Sequence, residues 1–185
     1  VRATRDRHHA WRTPVLATCA ADGVPNARTV VLRKVVRGDT NGVGGTFEIY
    51  TDRRSPKVSE LQQQPEACLV FWSAKLRWQL RAKVRVSVQV DAPEVQSLWQ
   101  VVKQTRAAAD YLGLLAPGES LSGLPTPSDD TPALSDEVDT YFAVLIARII
   151  EMDWLELGRG KHRRACSRGL SADSGEQTSW TWLQP

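Results

Sequence analysis

The chain is poor in several residue types, and each shortage excludes something. Its three cysteines, Cys19, Cys68 and Cys166, form no Cys-x-x-Cys pair, and an odd number scattered over 185 residues makes a poor disulfide framework. A reducing, cytoplasmic setting is the expectation. Long hydrophobic runs are missing: the apolar stretch at 143–147 falls far short of the ~20 residues a membrane helix needs. The opening VRATRDRHHAW lacks the apolar centre of a signal peptide, so no membrane partner is expected. A surplus of one charge is missing too, since 24 Lys and Arg against 21 Asp and Glu leave only +3. That balance does not by itself call for a polyanion. There is no GxGxxG, Walker loop, GxSxG or HExxH, which removes the usual signals for parallel-sheet dinucleotide binding, nucleotide hydrolysis, serine hydrolysis and zinc hydrolysis. His8 and His9 are adjacent and His162 is alone, so metal-ligand spacing is absent and no metal is expected.

What the chain does have is the composition of one folded domain over residues 1–185, with 42% hydrophobic and 24% charged residues. It also has seven Trp against three Tyr and three Phe. The clearest pattern is QLRAKVRVSVQV at 79–90, where polar and apolar residues alternate without a break. Such alternation predicts a half-buried strand with Leu80, Ala82, Val84, Val86, Val88 and Val90 inward. Segments 13–19, 28–36, 46–51 and 67–72 have the β-branched and aromatic content of further strands. Ala21-Asp22-Gly23 and the glycine-rich 38–45 separate the first of these, so the early half reads as an antiparallel meander.

Two helices interrupt the strands. Ser55-Pro56 opens a short one that Pro65 stops. Asp91 with Glu94 reads as a capping box opening a longer helix through 112. Residues 113–137 are rich in Pro, Gly, Ser and Asp and read as a flexible loop, 141–154 as a buried strand, and 180–183 as a last strand. The sum is a mainly β fold, a barrel or sandwich carrying a few helices.

Chemistry concentrates at strand ends. Arg28 and Lys34 share one face of their strand and Arg33 lies on the other. TDRRSPK places Arg53, Arg54 and Lys57 at a strand-to-helix junction, where guanidinium forks and the free N–H groups of a starting helix suit a phosphate monoester. A solvated turn is the plain alternative. Five cations between Arg159 and Arg168 form a local patch that a nucleic acid would suit, but stacking aromatics are absent from it, which disfavours nucleic acid as a partner.

The order of RTVVLRK, IYTDRRSPK, ACLVFWSAKLRWQLRAKV and DWLELGRGKHRRA resembles the pyridoxamine 5'-phosphate oxidase family and its related FMN-binding proteins. The resemblance implies a split β-barrel homodimer with FMN at the subunit interface, passing a hydride from a small-molecule substrate to FMN and then to oxygen. It places FMN on Arg28, Thr29, Val30, Val31, Leu32, Arg33, Tyr50, Thr51, Ser55, Lys57, Gln79, Ser120, Trp154 and Arg164. Pro56 takes the place of one of the family's cations, with Arg53 or Arg54 as a substitute. On the substrate side the resemblance keeps Arg106 and His162. It loses an Arg at Gly160, a Tyr at Val102 and a Ser at Asp110, and so implies no particular substrate and no covalent catalyst. A flavin- or haem-binding module without turnover is the alternative from a different class.

Overall fold

The computed structural model describes residues 2–38, 44–121, 140–168 and 179–185. Among the described residues nine strands form one antiparallel sheet: β1 (Val15–Cys19), β2 (Pro25–Thr29), β3 (Leu32–Val36), β4 (Thr46–Asp52), β5 (Glu66–Ser73), β6 (Trp78–Gln89), β7 (Phe142–Glu156), β8 (Arg163–Arg168) and β9 (Ser179–Leu183). Seven run in the order β2-β1-β5-β6-β7-β4-β3, and β8 pairs with the far end of β7 and with β9. The alternation in β6 is realised residue by residue. Leu80, Ala82, Val84 and Val86 are buried while Lys83, Arg85 and Ser87 are exposed.

The segment 28–36 is two strands, not one. The chain leaves the ladder at Val30, whose N–H donates to the Pro14 carbonyl at 3.0 Å. β2 then pairs with β1, and β3 pairs with β4. These two consecutive strands lie at opposite ends of the seven-strand path, yet only Val30 and Val31 link them. Two residues span at most ~7 Å. The sheet therefore curls until its ends meet, which makes a split β-barrel and replaces the expected meander by hairpins set around the barrel. Inside it Leu16, Leu32, Phe47, Ile49, Leu69, Phe71, Val84 and Leu145 form the core.

Helix α1 (Arg2–Arg5) and a 3-10 turn at Ala10–Arg12 have no strong sequence signal and pack on the barrel. Ala3 joins its core and Trp11 meets Phe71 edge-on at 6.2 Å. Helix α2 (Pro56–Gln63) starts on its proline, as the sequence indicates. The long helix expected from 91 is shorter. α3 (Pro93–Val102) begins after Ala92 with no side-chain cap, so the Asp91–Glu94 box does not form. It stops where Thr105 turns extended and its hydroxyl donates to the Val102 carbonyl at 2.8 Å, and a 3-10 turn at Arg106–Tyr111 follows. α3 and this turn cover the outer face of β4 and β7 through Val95, Val102, Tyr111, Phe142 and Val144.

Of the expected loop at 113–137, residues 122–137 lie outside the described residues. Its first part is fastened. The Arg54 guanidinium donates to the carbonyls of Gly113 (2.8 Å), Leu114 (3.2 Å) and Leu115 (3.3 Å), grips Asp52, and lies 3.3 Å from the Tyr141 ring centroid. Among the described residues no helix is long and apolar enough to cross a membrane.

Candidate functional site

Four cationic and hydroxyl residues meet where β4 runs into α2 and β2 passes beside them. Ser55 adopts the extended backbone of a cap residue, but its hydroxyl donates to the Asp52 carbonyl at 2.8 Å instead of capping the helix. That turns its oxygen toward Thr51 Oγ1, 3.2 Å away. Lys57 Nζ donates to both hydroxyl oxygens at 2.9 Å. An ammonium has three protons, so one remains for a ligand. Burial, reinforced by the Arg28 charge, holds the Lys57 ammonium below the ordinary lysine pKa.

Arg28 arrives from β2 and is not free. It donates to Thr18 Oγ1 and, from Nη2, to Glu60 Oε2 at 2.9 Å. Glu60 also accepts from Thr18 Oγ1 at 2.5 Å and from Asn26 Nδ2 at 2.9 Å. Burial works against its ionisation, but the hydrogen bonds from Thr18, Asn26 and Arg28 outweigh this and hold the carboxyl below the ordinary glutamate value. Glu60, Thr18 and Asn26 were not among the sequence candidates. The available signal was a charge beside Leu61 on the buried stripe of a short helix that also buries Val58.

The donor set suits a phosphate monoester. At the start of a helix with Pro at its first position, Lys57 holds two hydroxyls, and Arg28 is joined to the same helix through Glu60, close enough for its charge to act on Lys57. Bringing a dianion there relieves the repulsion between Arg28 and Lys57.

The other sequence candidates lie elsewhere. Thr29 ends β2 and Leu32 opens β3, with Val30 and Val31 as the link; Leu32 and Val30 are buried in the core and Thr29 is exposed. Tyr50 and Arg33 point to the outer face of β4, where the Arg33 guanidinium lies 5.6 Å from the Tyr50 ring centroid. They line a hollow of about 170 Å³ with Tyr111, Val102 and Leu98. Gln79 and Arg164 both pair with Leu155 from opposite sides, so they share a sheet face. Arg164 is engaged with Asp153 (2.6 Å), which also accepts from Arg81 (2.6 Å). Trp154 faces the other way and packs edge-on between Trp78 (5.4 Å) and Trp182 (6.4 Å).

Ser120, Arg106 and His162 are exposed, and among the described residues their side chains make no hydrogen bond or ion pair. Arg54 is committed to Asp52 and the 113–115 carbonyls, so it does not replace the missing cation at Pro56. Arg53 stacks on Tyr141 at 5.5 Å. Val102, at one of the positions where the substrate-side motif is lost, is the last residue of α3 and is buried with Tyr111 and Phe142.

Residues 2–89 match the family model described as pyridoxamine 5'-phosphate oxidase, FMN-binding domain. A curated pyridoxine/pyridoxamine 5'-phosphate oxidase of Thermosynechococcus vestitus is 41% identical over 85 residues, which are 46% of this chain and 36% of the relative. Another, from Acaryochloris marina, is 36% identical over 105 residues, 57% of this chain and 42% of the relative. The chain thus spans well under half the length of these relatives. Among solved structures, a pyridoxamine 5'-phosphate oxidase-related, FMN binding protein from Nostoc punctiforme superposes with a TM-score of 0.74 at 23% identity, covering all of this chain and 93% of that one. PhzG from Burkholderia lata 383 gives 0.69 at 18% identity, with 100% and 87% covered. At these identities the structural likenesses speak for the fold, and they place the whole described chain in the split-barrel architecture.

Proposed function

We propose that this chain, related through residues 2–89 to the pyridoxamine 5'-phosphate oxidase FMN-binding family, binds FMN and serves as an FMN-dependent oxidoreductase. The observation that carries the reading is the convergence of Arg28, Thr51, Ser55 and Lys57, from three elements, on a cradle with the charge and donors of a phosphate site. FMN held there would supply the redox chemistry, taking a hydride from a small-molecule substrate and passing the electrons on to oxygen. The residues do the holding. Lys57 and Arg28 would neutralise the phosphate, Thr51 and Ser55 fix the Lys57 ammonium, and the backbone of the β2–β3 link would offer its polar groups to the flavin.

The substrate differs from a pyridoxine phosphate in this reading. Val102 is buried, Asp110 would repel a phosphate, and Gly160 contributes no side chain. Arg106 and His162 are the remaining groups for orienting it.

The reading extends to a homodimer, for a geometrical reason. Thr51 lies opposite Ala143 and Gln79 opposite Leu155, so the phosphate cradle and the Gln79–Arg164 face sit at opposite ends of β7. The interval is roughly 40 Å of strand contour at ~3.3 Å per residue. A twofold partner brings its own Gln79–Arg164 face to the cradle of the first copy.

The test is reconstitution. The purified chain should take up FMN with quenching of flavin fluorescence, and anaerobic addition of its substrate should bleach the bound flavin. A chain that stays colourless with excess FMN ends the flavin reading. Bleaching by pyridoxine or pyridoxamine 5'-phosphate would overturn the substrate assignment, and bound flavin that no candidate reductant bleaches would point to a binding module.

A pH profile follows from Lys57. Its folded-state pKa is depressed, so above that pKa the free protein must take up a proton to present the cation to a phosphate. FMN affinity should fall with rising pH, starting below the ordinary lysine value, by up to ~10-fold per pH unit. Riboflavin, which lacks the phosphate, should not follow that limb. Lys57→Arg, whose guanidinium stays charged, should remove it; a limb that persists in this variant assigns the proton elsewhere.

A further inference from the structure

We infer that Glu60 is a positioning residue for the phosphate cradle, fixing the Arg28 guanidinium in the attitude that leaves its remaining donors for the ligand. The inference rests on the phosphate reading above and goes beyond it, because Glu60 would touch no ligand. Its side chain is only 9% exposed and that of Arg28 is 21% exposed. Each Glu60 oxygen has a defined use. Oε2 takes Arg28 Nη2 and Thr18 Oγ1, and Oε1 takes Asn26 Nδ2. Thr18 closes the ring by accepting from Arg28 Nη1. A guanidinium carries five N–H donors in a rigid fork, so two commitments fix its plane and leave three.

The same carboxylate ties the cradle's parts together. Thr18 belongs to β1, Asn26 and Arg28 to β2, and Glu60 to α2, one helical turn beyond Lys57. Residues three apart lie on neighbouring positions of a helix surface, so Glu60 also sets the distance between the two cations. The group Arg28, Lys57 and Glu60 carries a net +1. Without the carboxylate, two partly buried cations would face each other at +2.

Charge and positioning predict opposite signs, which makes the inference testable. If Glu60 acted only as a charge, removing it would make the site more positive and tighten FMN. Positioning predicts that FMN weakens. Glu60→Asp keeps the charge but is one methylene too short to hold Arg28 and Asn26 together. Glu60→Gln keeps the length but replaces one acceptor oxygen by a donor.

The experiment is a fluorescence titration of the whole chain and its variants with FMN and with riboflavin, folding being checked by circular dichroism. Glu60→Gln and Glu60→Asp should each raise the FMN Kd ~10-fold and leave that of riboflavin within ~2-fold. Asn26→Ala, at an exposed position, should raise the FMN Kd ~3-fold and keeps the test available if the buried variants do not fold. Tighter FMN binding by Glu60→Gln, unchanged FMN binding in the variants, or equal weakening of both flavins would each overturn the positioning role. An unaltered chain that binds neither FMN nor inorganic phosphate would overturn the phosphate reading itself, and this inference with it.

Discussion

Arg28→Glu should abolish FMN binding and cost the fold much of its stability, and both losses trace to the same side chain. The phosphate loses a charge-assisted donor and meets an anion in its place. One such hydrogen bond to a charged group is worth roughly 1.5–3 kcal/mol, and reversing the sign adds repulsion, so the FMN Kd should rise at least ~100-fold. The fold suffers because Glu60 is buried and now faces a second carboxylate instead of its cation. Breaking a buried pair costs about 3–5 kcal/mol, and at ~2–4 °C per kcal/mol for a chain of this size the melting temperature should drop by roughly 6–20 °C.

The pH dependence identifies the cause. In the unaltered chain the Glu60 pKa is depressed by folding, so its contribution is present above the unfolded pKa and is lost as pH falls through the folded value. In Arg28→Glu the two carboxylates raise each other's pKa, so acidification should restore stability. From pH 7 to pH 5, still above the unfolded glutamate value, the unaltered chain should keep the Glu60 contribution while Arg28→Glu gains stability, so the gap between their melting temperatures should narrow on acidification. Arg28→Met separates the effects: it should lose FMN affinity by ~10-fold or more while lacking the acid recovery. Retention of FMN by Arg28→Glu with an unchanged melting temperature would remove Arg28 from the site.

How much of this was legible beforehand depends on which physical signal each element carries. β6 could be bounded to within a residue because one face is buried and the other wet, so period two is written into QLRAKVRVSVQV. α2 was legible through Ser55, Pro56 and Pro65, which act on the backbone locally. The break at Val30 was not, because a run of β-branched residues reads the same whether it stays in one ladder or passes between the two ends of a curled sheet. The same break explains why Arg28 and Arg33, five residues apart, end in different places. The irregular register between Leu32 and Lys34 adds to this, since face assignment by counting fails across a bulge. β8 was hidden under its own charge: RRACSR reads as a basic patch until Glu156 and Asp153 are seen to take up Arg163 and Arg164. The Trp excess divides similarly. Trp78 and Trp154 pack against each other, whereas Trp72, Trp180 and Trp182 are 44%, 51% and 68% exposed and are not core. At the cradle the cations and hydroxyls were visible as motif residues, but the carboxylate that organises them was not, because its partners come from strands about 30 to 40 residues away.

The second large effect is recovery of binding by mixing two inactive variants. If one FMN is held by the cradle of one copy and the Gln79–Arg164 face of another, Arg28→Glu and Arg164→Glu each damage every site of their own homodimer. A heterodimer is different. One of its two sites combines both altered residues, while the other combines an unaltered Arg28 with an unaltered Arg164. Unfolding and refolding the variants together at equal concentrations should yield about half the dimers as heterodimers, each with one intact site, so about a quarter of all sites should bind FMN with the unaltered affinity. Neither variant refolded alone should bind at that concentration. Arg164→Glu also opposes Asp153, so its own melt must be recorded, with Gln79→Ala as a milder partner variant. Flavin fluorescence at a fixed FMN concentration reads the outcome directly. No recovery from folded, mixed dimers would mean that both residues serve the same copy's site, and a monomer by light scattering with FMN bound would end the shared-site reading. A recovered quarter would show that the two ends of β7, far apart within one copy, are brought together only between copies.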